Sequence, residues 1–406
     1  MSTPFYDLAS LVLVPSGYKA QKVYAQKPLT TDGQLTFSRA STATRVNSAG
    51  LIETVSSNVP RLDYLGSTCP KLQLEPQRSN IVLQSSAFDN ASWLTVNCTA
   101  TANFAVSPDG TTNAEKIDFN ASSDSSIYQA LSGSSAAYSI SIFAKYVSGG
   151  KYLYIFSPLN SDSAKVWFDI QAGTVANQVS GFTGKIENYG NGWFRCTLTN
   201  TSNKSLDYMQ FGISSTSSSR TLSSASVTYL YGAQVEAGAY PTSLIQTTTA
   251  AVTRLEDAFY KNSISSLIGQ SSGVVFADIV PSQFSDGSYI GISDNTAVNR
   301  QIFGFEGDSG NSGTLRFYGA FGGSAGTFYV GQRYKIAMAY ANNDFVVYVN
   351  GTQLFSLSSG TMSGTLSHFG FDSYFAQAQT FQGKVNQALL FKTRLTNAQL
   401  AELTTL

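Results

Sequence analysis

Short runs of alternating apolar and polar residues recur along most of this chain, roughly every 8 to 15 residues, with clusters of Gly, Ser, Asn and Asp between them. YSISIFAKYV (138–147), KVWFDI (165–170), YMQFGIS (208–214) and DFVVYVNGTQLFSL (344–357) are clear examples. In KVWFDI, Val166, Phe168 and Ile170 share one face while Trp167 and Asp169 share the other. A period of two with one apolar face describes a strand whose sheet has one side in a core and one in water. Many such runs, with turn residues between them, predict stacked sheets and exclude a helical bundle or an α/β fold.

The composition agrees. Of 406 residues only 12% are charged, against a usual share of roughly 25%, while Phe (26) and Tyr (22) are plentiful. Such side chains suit a pleated surface, and the Gly, Asn and Ser that replace charge suit tight turns. Net charge is zero, so no basic stripe offers itself to nucleic acid, and none is expected as a partner. Cys69, Cys98 and Cys196 form no close-spaced metal or redox motif and read as reduced thiols of a protein assembled inside a cell. The N-terminal segment lacks a basic leader, and its apolar run from Leu8 to Val14 is too short to span a bilayer, so no membrane partner is expected.

The pattern divides the chain into four parts. Residues 1–85 are irregular and punctuated by Pro60, Pro70 and Pro76, which reads as an extended attachment arm, with a hairpin candidate at Asp32-Gly33. Residues 86–248 form a two-sheet sandwich, 249–270 a Thr-rich linker or bridging strand, and 271–406 a second sandwich. Asn350-Gly351 between alternating flanks is the strongest hairpin signal. Thr396 or Asn397 can cap a terminal helix with Leu400 and Leu403 on one face. The expected fold class is therefore all-β: an N-terminal extended arm, two β-sandwich (jelly-roll) domains and a short C-terminal helix.

Catalytic chemistry finds little to use. The single histidine, His368, sits in a strand-like context without a G-x-S-x-G elbow, so it reads as structural and no catalytic residue is assigned. Most acids lie in turns such as Pro108-Asp109-Gly110, where the side chain bonds its own backbone. No metal ligand set or cofactor motif is present; Asp294-Asn295 offers oxygen atoms to calcium but without diagnostic loop spacing. Aromatic rings are the better lead, because a sugar lays an apolar face on a ring while amides and carboxylates take its hydroxyls. Trp93, Trp167, Trp193, Tyr318 and Tyr374 are the candidates, each with a competing use as sandwich packing.

The remaining motif is charged. FSRASTATRVNSAGLIETV, then PRLDY and LQLEPQRSN, carry Arg39, Arg45, Arg61 and Arg78 among Glu53, Asp63 and Glu75. With no catalytic partner, these arginines read as an ion-paired clamp tying the arm to the first sandwich, with Glu236 and Glu256 as the expected partners. The same segment resembles the N-terminal region of many virion-associated proteins of tailed bacteriophages, crAss-like phages among them. NGWFRCTLT (191–199) with YLYGAQVEAGAYPTSLIQTTTAAVTR (229–254) is similar to the closing strands of carbohydrate-binding-like jelly rolls. DFVVYVNGTQLFSL with FKTRLTNAQLAEL resembles a laminin-G or concanavalin-like domain.

That resemblance implies a non-enzymatic virion structural protein, a head or tail fibre subunit made in the bacterial cytoplasm and carried on the particle. Its expected partners are itself, as a homotrimer, other capsid or tail proteins, and host surface glycans. Two other functions fit the same scaffold: a polysaccharide depolymerase, and a purely decorative capsid-stabilising protein.

Overall fold

The computed structural model describes residues 5–159, 162–200, 202–284, 288–296, 299–309, 312–320, 322–362, 364–372 and 380–406. The protein is all-β: four large antiparallel sheets stack in two sandwiches, and the two α-helices, Phe5–Leu8 and Asn397–Thr404, are short. No helix of the described residues is long and apolar enough to cross a membrane.

The first sandwich faces two six-stranded sheets against each other. One runs Leu94–Val96, Ser126–Ala136, Lys204–Ser214, Tyr152–Leu159, Asp162–Asp169, Thr174–Gln178. The other runs Cys98–Val106, Thr112–Phe119, Ser226–Ala237, Tyr138–Ser148, Trp193–Thr199, Thr183–Asn188. Alternation decides what lies between them. Leu153, Ile155, Val166 and Phe168 join the shared core with Met209, Phe211 and Ile213, while Tyr154, Phe156 and Trp167 turn to the outer face.

The second sandwich has an eight-stranded and a nine-stranded sheet around a core that includes Val275, Phe303, Phe317, Met338 and Val347. Its late hairpin joins Asp344–Val349 to Thr352–Leu357 through Asn350 (φ 48°) and Gly351 (φ 84°). Two consecutive positive φ values match the twist of the flanking strands, which is why Asn-Gly occupies the turn. Thr396 caps the final helix in a reciprocal capping box with Gln399, and Leu400 and Leu403 dock on the outside of the eight-stranded sheet.

The N-terminal region packs on the rest of the chain, and it does so by supplying strands to both sheets of the second sandwich. Leu11–Leu13 and Lys71–Leu74 pair with Gly383–Phe391, and Gln34–Ser38 pairs with Ala258–Lys261. Asp32-Gly33 closes no tight hairpin; it lies in a 3₁₀ turn before Gln34–Ser38. The 249–270 stretch contributes Val252–Arg254, which pairs with Arg78–Asn80, and Ala258–Lys261. Without these segments the sandwich would expose unpaired strand edges, which compact proteins cover. From the same region, the hairpin Ala43–Val46 with Ile52–Val55 reaches across to the first sandwich. There Val46 and Ile52 pack against Trp193, Tyr231 and Leu244.

Candidate functional site

The charged segment comes together, though with other partners than the sequence pointed to. Asp257, just before Ala258–Lys261, takes the Arg39 guanidinium at 3.0 Å, Arg61, and the Glu75 amide at 2.8 Å. Glu75, just after Lys71–Leu74, takes Arg61 and Arg254 and accepts from the Ser243 amide and hydroxyl at 2.8 and 2.7 Å. Ser243 follows the last strand of the first sandwich, so this cluster joins the two sandwiches. Burial alone would raise the Glu75 carboxyl, but Arg254 and Arg61 outweigh it and hold it well below the usual carboxylate range.

The expected acids do other work. Glu236 accepts from the Thr242 amide at 2.8 Å and from its hydroxyl, and Glu256 is in no ion pair among the described residues. Arg45 pairs with Glu53 at 2.6 Å, on the hairpin and partly exposed. Arg78 meets no carboxylate among the described residues and lies instead against the Tyr240 ring, 5.3 Å from its centroid. Position along the chain could not separate these cases, because the partners come from strands brought together only by the sheets.

The tryptophans leave the list of sugar-facing rings. Trp93 is 4% exposed, donates to the Gln84 carbonyl at 3.0 Å and packs on Phe88 and Phe211. Trp193 is 2% exposed under the 43–55 hairpin and donates to the Val106 carbonyl. Both rings are packed in cores with their N–H groups satisfied by backbone carbonyls, the usual state of a buried Trp. Tyr318 is half-buried on the outer face of the nine-stranded sheet, its hydroxyl on Glu306 and its ring beside Tyr289 and Arg300. Tyr374 lies outside the described residues. His368 is buried with both ring nitrogens engaged, by Asn262 at 2.7 Å and Asp372 at 2.8 Å. Among the described residues no group of three or more His, Cys, Asp or Glu could hold a metal ion.

Aromatic residues that the sequence did not single out line the outer face of the first sandwich, Tyr128 and Tyr208 half-buried and Phe156 buried beneath Lys165 and Arg220. Register aligns Tyr128 with Gln210, Gln210 with Phe156, and Phe156 with Lys165, a row crossing four strands. Tyr208 meets Phe156 edge-on at 5.8 Å and Tyr128 at 5.9 Å. The Arg220 guanidinium and the Lys165 ammonium each lie 5.2 Å from the Phe156 centroid. One carboxylate organises the polar groups: Asp124 accepts from Tyr154 at 2.7 Å, from Gln210 at 3.2 Å, and from Arg220 at 3.1 Å.

Two local features make this face. Gly212 leaves room for the Tyr154 phenol, since a Cβ there would come within 2.3 Å of its oxygen. The loop after Lys204–Ser214 folds back as a wall, its Ser219 and Ser217 carbonyls accepting from Trp167 and Asn177 at 2.8 Å each. Burial, with Asp124 adding to it, pushes the Tyr154 phenol well above its ordinary value, so it stays protonated and donates. The result is a ring-lined floor beside fixed amide, carboxylate and guanidinium groups, an arrangement able to hold a polyhydroxylated ring by stacking and hydrogen bonds. The outward position of Trp167 in KVWFDI was the one sequence signal for this face.

No protein-family model matches the chain, and no curated protein matches it. Some solved structures are similar to it at low identity. One is domain 4 of AbnA, a GH43 extracellular arabinanase from Geobacillus stearothermophilus, in complex with arabinotriose. It is 16% identical, with 41% of this chain and 81% of that one covered, at a TM-score of 0.30. Another is the CBM40 of the Ruminococcus gnavus IT-sialidase bound to α2,3 sialyllactose, at 13% identity, 35% and 91% coverage and a TM-score of 0.27. Trypanosoma rangeli sialidase matches over 72% of this chain and 60% of its own length, at 13% identity and a TM-score of 0.28.

Proposed function

We propose that this chain is a non-enzymatic structural subunit of a tailed-bacteriophage particle, a head or tail fibre component that holds saccharides of the host surface on the outer face of its first sandwich. The observation carrying the saccharide reading is the Tyr128–Phe156–Tyr208 floor with Asp124, Gln210 and Arg220 beside it. Stacking supplies affinity there, and the polar groups supply orientation. The particle assignment draws its support from the arginine-rich segment and its likeness to phage virion proteins.

The test is binding of the purified protein to an array of bacterial surface glycans, repeated with Tyr128→Ala and Tyr208→Ala, the two half-buried rings of this face. Both variants are expected to lose binding by about tenfold or more while keeping the parental melting temperature within a few degrees. Binding unchanged in both would remove the proposed face from consideration. Release of reducing ends from those glycans would instead favour the depolymerase.

The fibre reading also carries a homotrimer, the form expected of symmetric viral projections. Leu94, Phe104 and Val106, 48%, 49% and 55% exposed on adjoining edge strands of the first sandwich, are where its contacts are placed. Sedimentation equilibrium at micromolar concentration should give three times the chain mass; a monomer there would argue against it.

A further inference from the structure

We propose that Arg78 and the groove beside it form a second ligand site, for a carboxylate-bearing sugar such as a hexuronate. Arg78 is half-buried on the strand that pairs with Val252–Arg254, yet it takes no part in the carboxylate cluster its neighbours build. Its Nε is buried without a hydrogen-bond partner, and Nη1 donates only to the Gln77 carbonyl at 3.1 Å. No acid among the described residues forms an ion pair with it. A guanidinium left in this state, beside an open cavity, is a built receptor for an anion.

The surroundings hold the group still. Its plane lies 5.3 Å from the Tyr240 centroid, and the Tyr240 hydroxyl is itself bonded to Gln382 of the second sandwich at 2.9 Å. Gly238 backs the other side: a Cβ there would come 2.6 Å from Nε and 2.7 Å from Nη2. Nε is enclosed by the protein, and the Nη1–Nη2 end is the one left to receive a carboxylate. Preorganisation of this kind lowers the cost of binding.

The groove has a volume of about 320 Å³, the low end of the range for small-molecule sites. Ser79, Ser132 and Ser134 line it together with the arginine. The hydroxyls of Ser132 and Ser134 are free of protein partners, and Ser79 shares a single bond with Thr253. A fixed cation for one carboxylate and several hydroxyls spread along the groove for others is the pattern an acidic pyranose requires. The site is separate from the aromatic face, so its test stands whether or not that face binds.

Titration calorimetry on the full chain with sodium glucuronate, glucose and inorganic phosphate tests the proposal. Glucuronate is expected to bind at least about tenfold more tightly than glucose or phosphate, and to weaken as salt rises. Arg78→Gln should lose about tenfold or more, and Arg78→Lys should recover only part of it. Ser132→Trp, which fills the groove and leaves Arg78 in place, should block binding while the melting temperature stays constant. It decides the matter should Arg78→Gln fail to fold. Equal affinity for glucose and glucuronate, phosphate as the tightest ligand, or full binding by Ser132→Trp would each overturn the proposal.

Discussion

Arg39, Arg61 and Arg254 are buried against two carboxylates, Glu75 and Asp257, so the cluster carries one cation more than it can pair. Removing an acid from it should therefore cost more than removing a base. Asp257→Ala strands Arg39, leaves Arg61 only Glu75, which Arg254 already shares, and is expected to cost about 3–5 kcal/mol. Arg39→Ala leaves Asp257 paired with Arg61 and should cost about 1–3 kcal/mol. Arg45→Ala, at the partly exposed pair with Glu53, should stay within about 1 kcal/mol. Urea unfolding of the three variants gives the order directly, and a larger loss for Arg39→Ala than for Asp257→Ala would contradict this account of the cluster. Glu115 supplies a second residue-scale prediction. Burial, with the neighbouring Asp89 carboxyl adding to it, pushes its carboxyl up to about 8. The folded chain keeps a proton there that the unfolded chain releases at about 4.3. This contribution is complete below that lower value and is lost as pH rises to about 8. Glu75 runs the other way: its carboxyl is held low, so its contribution is present at neutral pH and disappears in acid. Melting temperature should fall between pH 5 and 8 in the parent, and Glu115→Gln should flatten that limb.

Among the elements, the terminal helix and the late hairpin rest on local chemistry, and their residues behave accordingly. Thr396→Ala removes one half of the capping box and should cost about 1 kcal/mol. Gly351→Val forces a branched residue into φ 84° and is expected to cost more than that, with both effects read from thermal unfolding. Sheet membership is a different matter. Strand-like patterning in 1–85 was legible, but which sheet each strand joins was not. Leu11–Leu13 and Gly383–Phe391 lie at opposite ends of the chain, and no local feature of either encodes the partner. The same holds for the aromatic floor. Alternation told which residues share a face on one strand, while Tyr128, Phe156 and Tyr208 become neighbours only through the register of three strands. Trp93 and Trp193 failed as surface candidates for the complementary reason: a large ring goes wherever a core has room for it, and the sequence does not contain the shape of that room.

The whole molecule is one woven object. Residues 1–85 and 249–270 place strands in the second sandwich, a hairpin on the first, and a buried ion cluster between them. Calorimetry of the intact chain should therefore show one dominant cooperative transition, with no separate one for each sandwich. The fragment 271–406 by itself lacks the strands Leu11–Leu13, Gln34–Ser38, Lys71–Leu74 and Ala258–Lys261, and is expected to aggregate. A soluble, cooperatively folding 271–406 fragment would show that the woven strands are dispensable. What the chain's order of residues determined unaided was the β class, the face each strand buries, the Asn-Gly turn and the capped helix. Each of these depends on residues a few positions apart. Tertiary structure alone decided that Arg39 meets Asp257, 218 residues away, that Arg78 pairs with no acid among the described residues, and which rings are buried. Those outcomes depend on strand pairing and on the shape of a filled core, properties of the closed chain that no short stretch of it possesses.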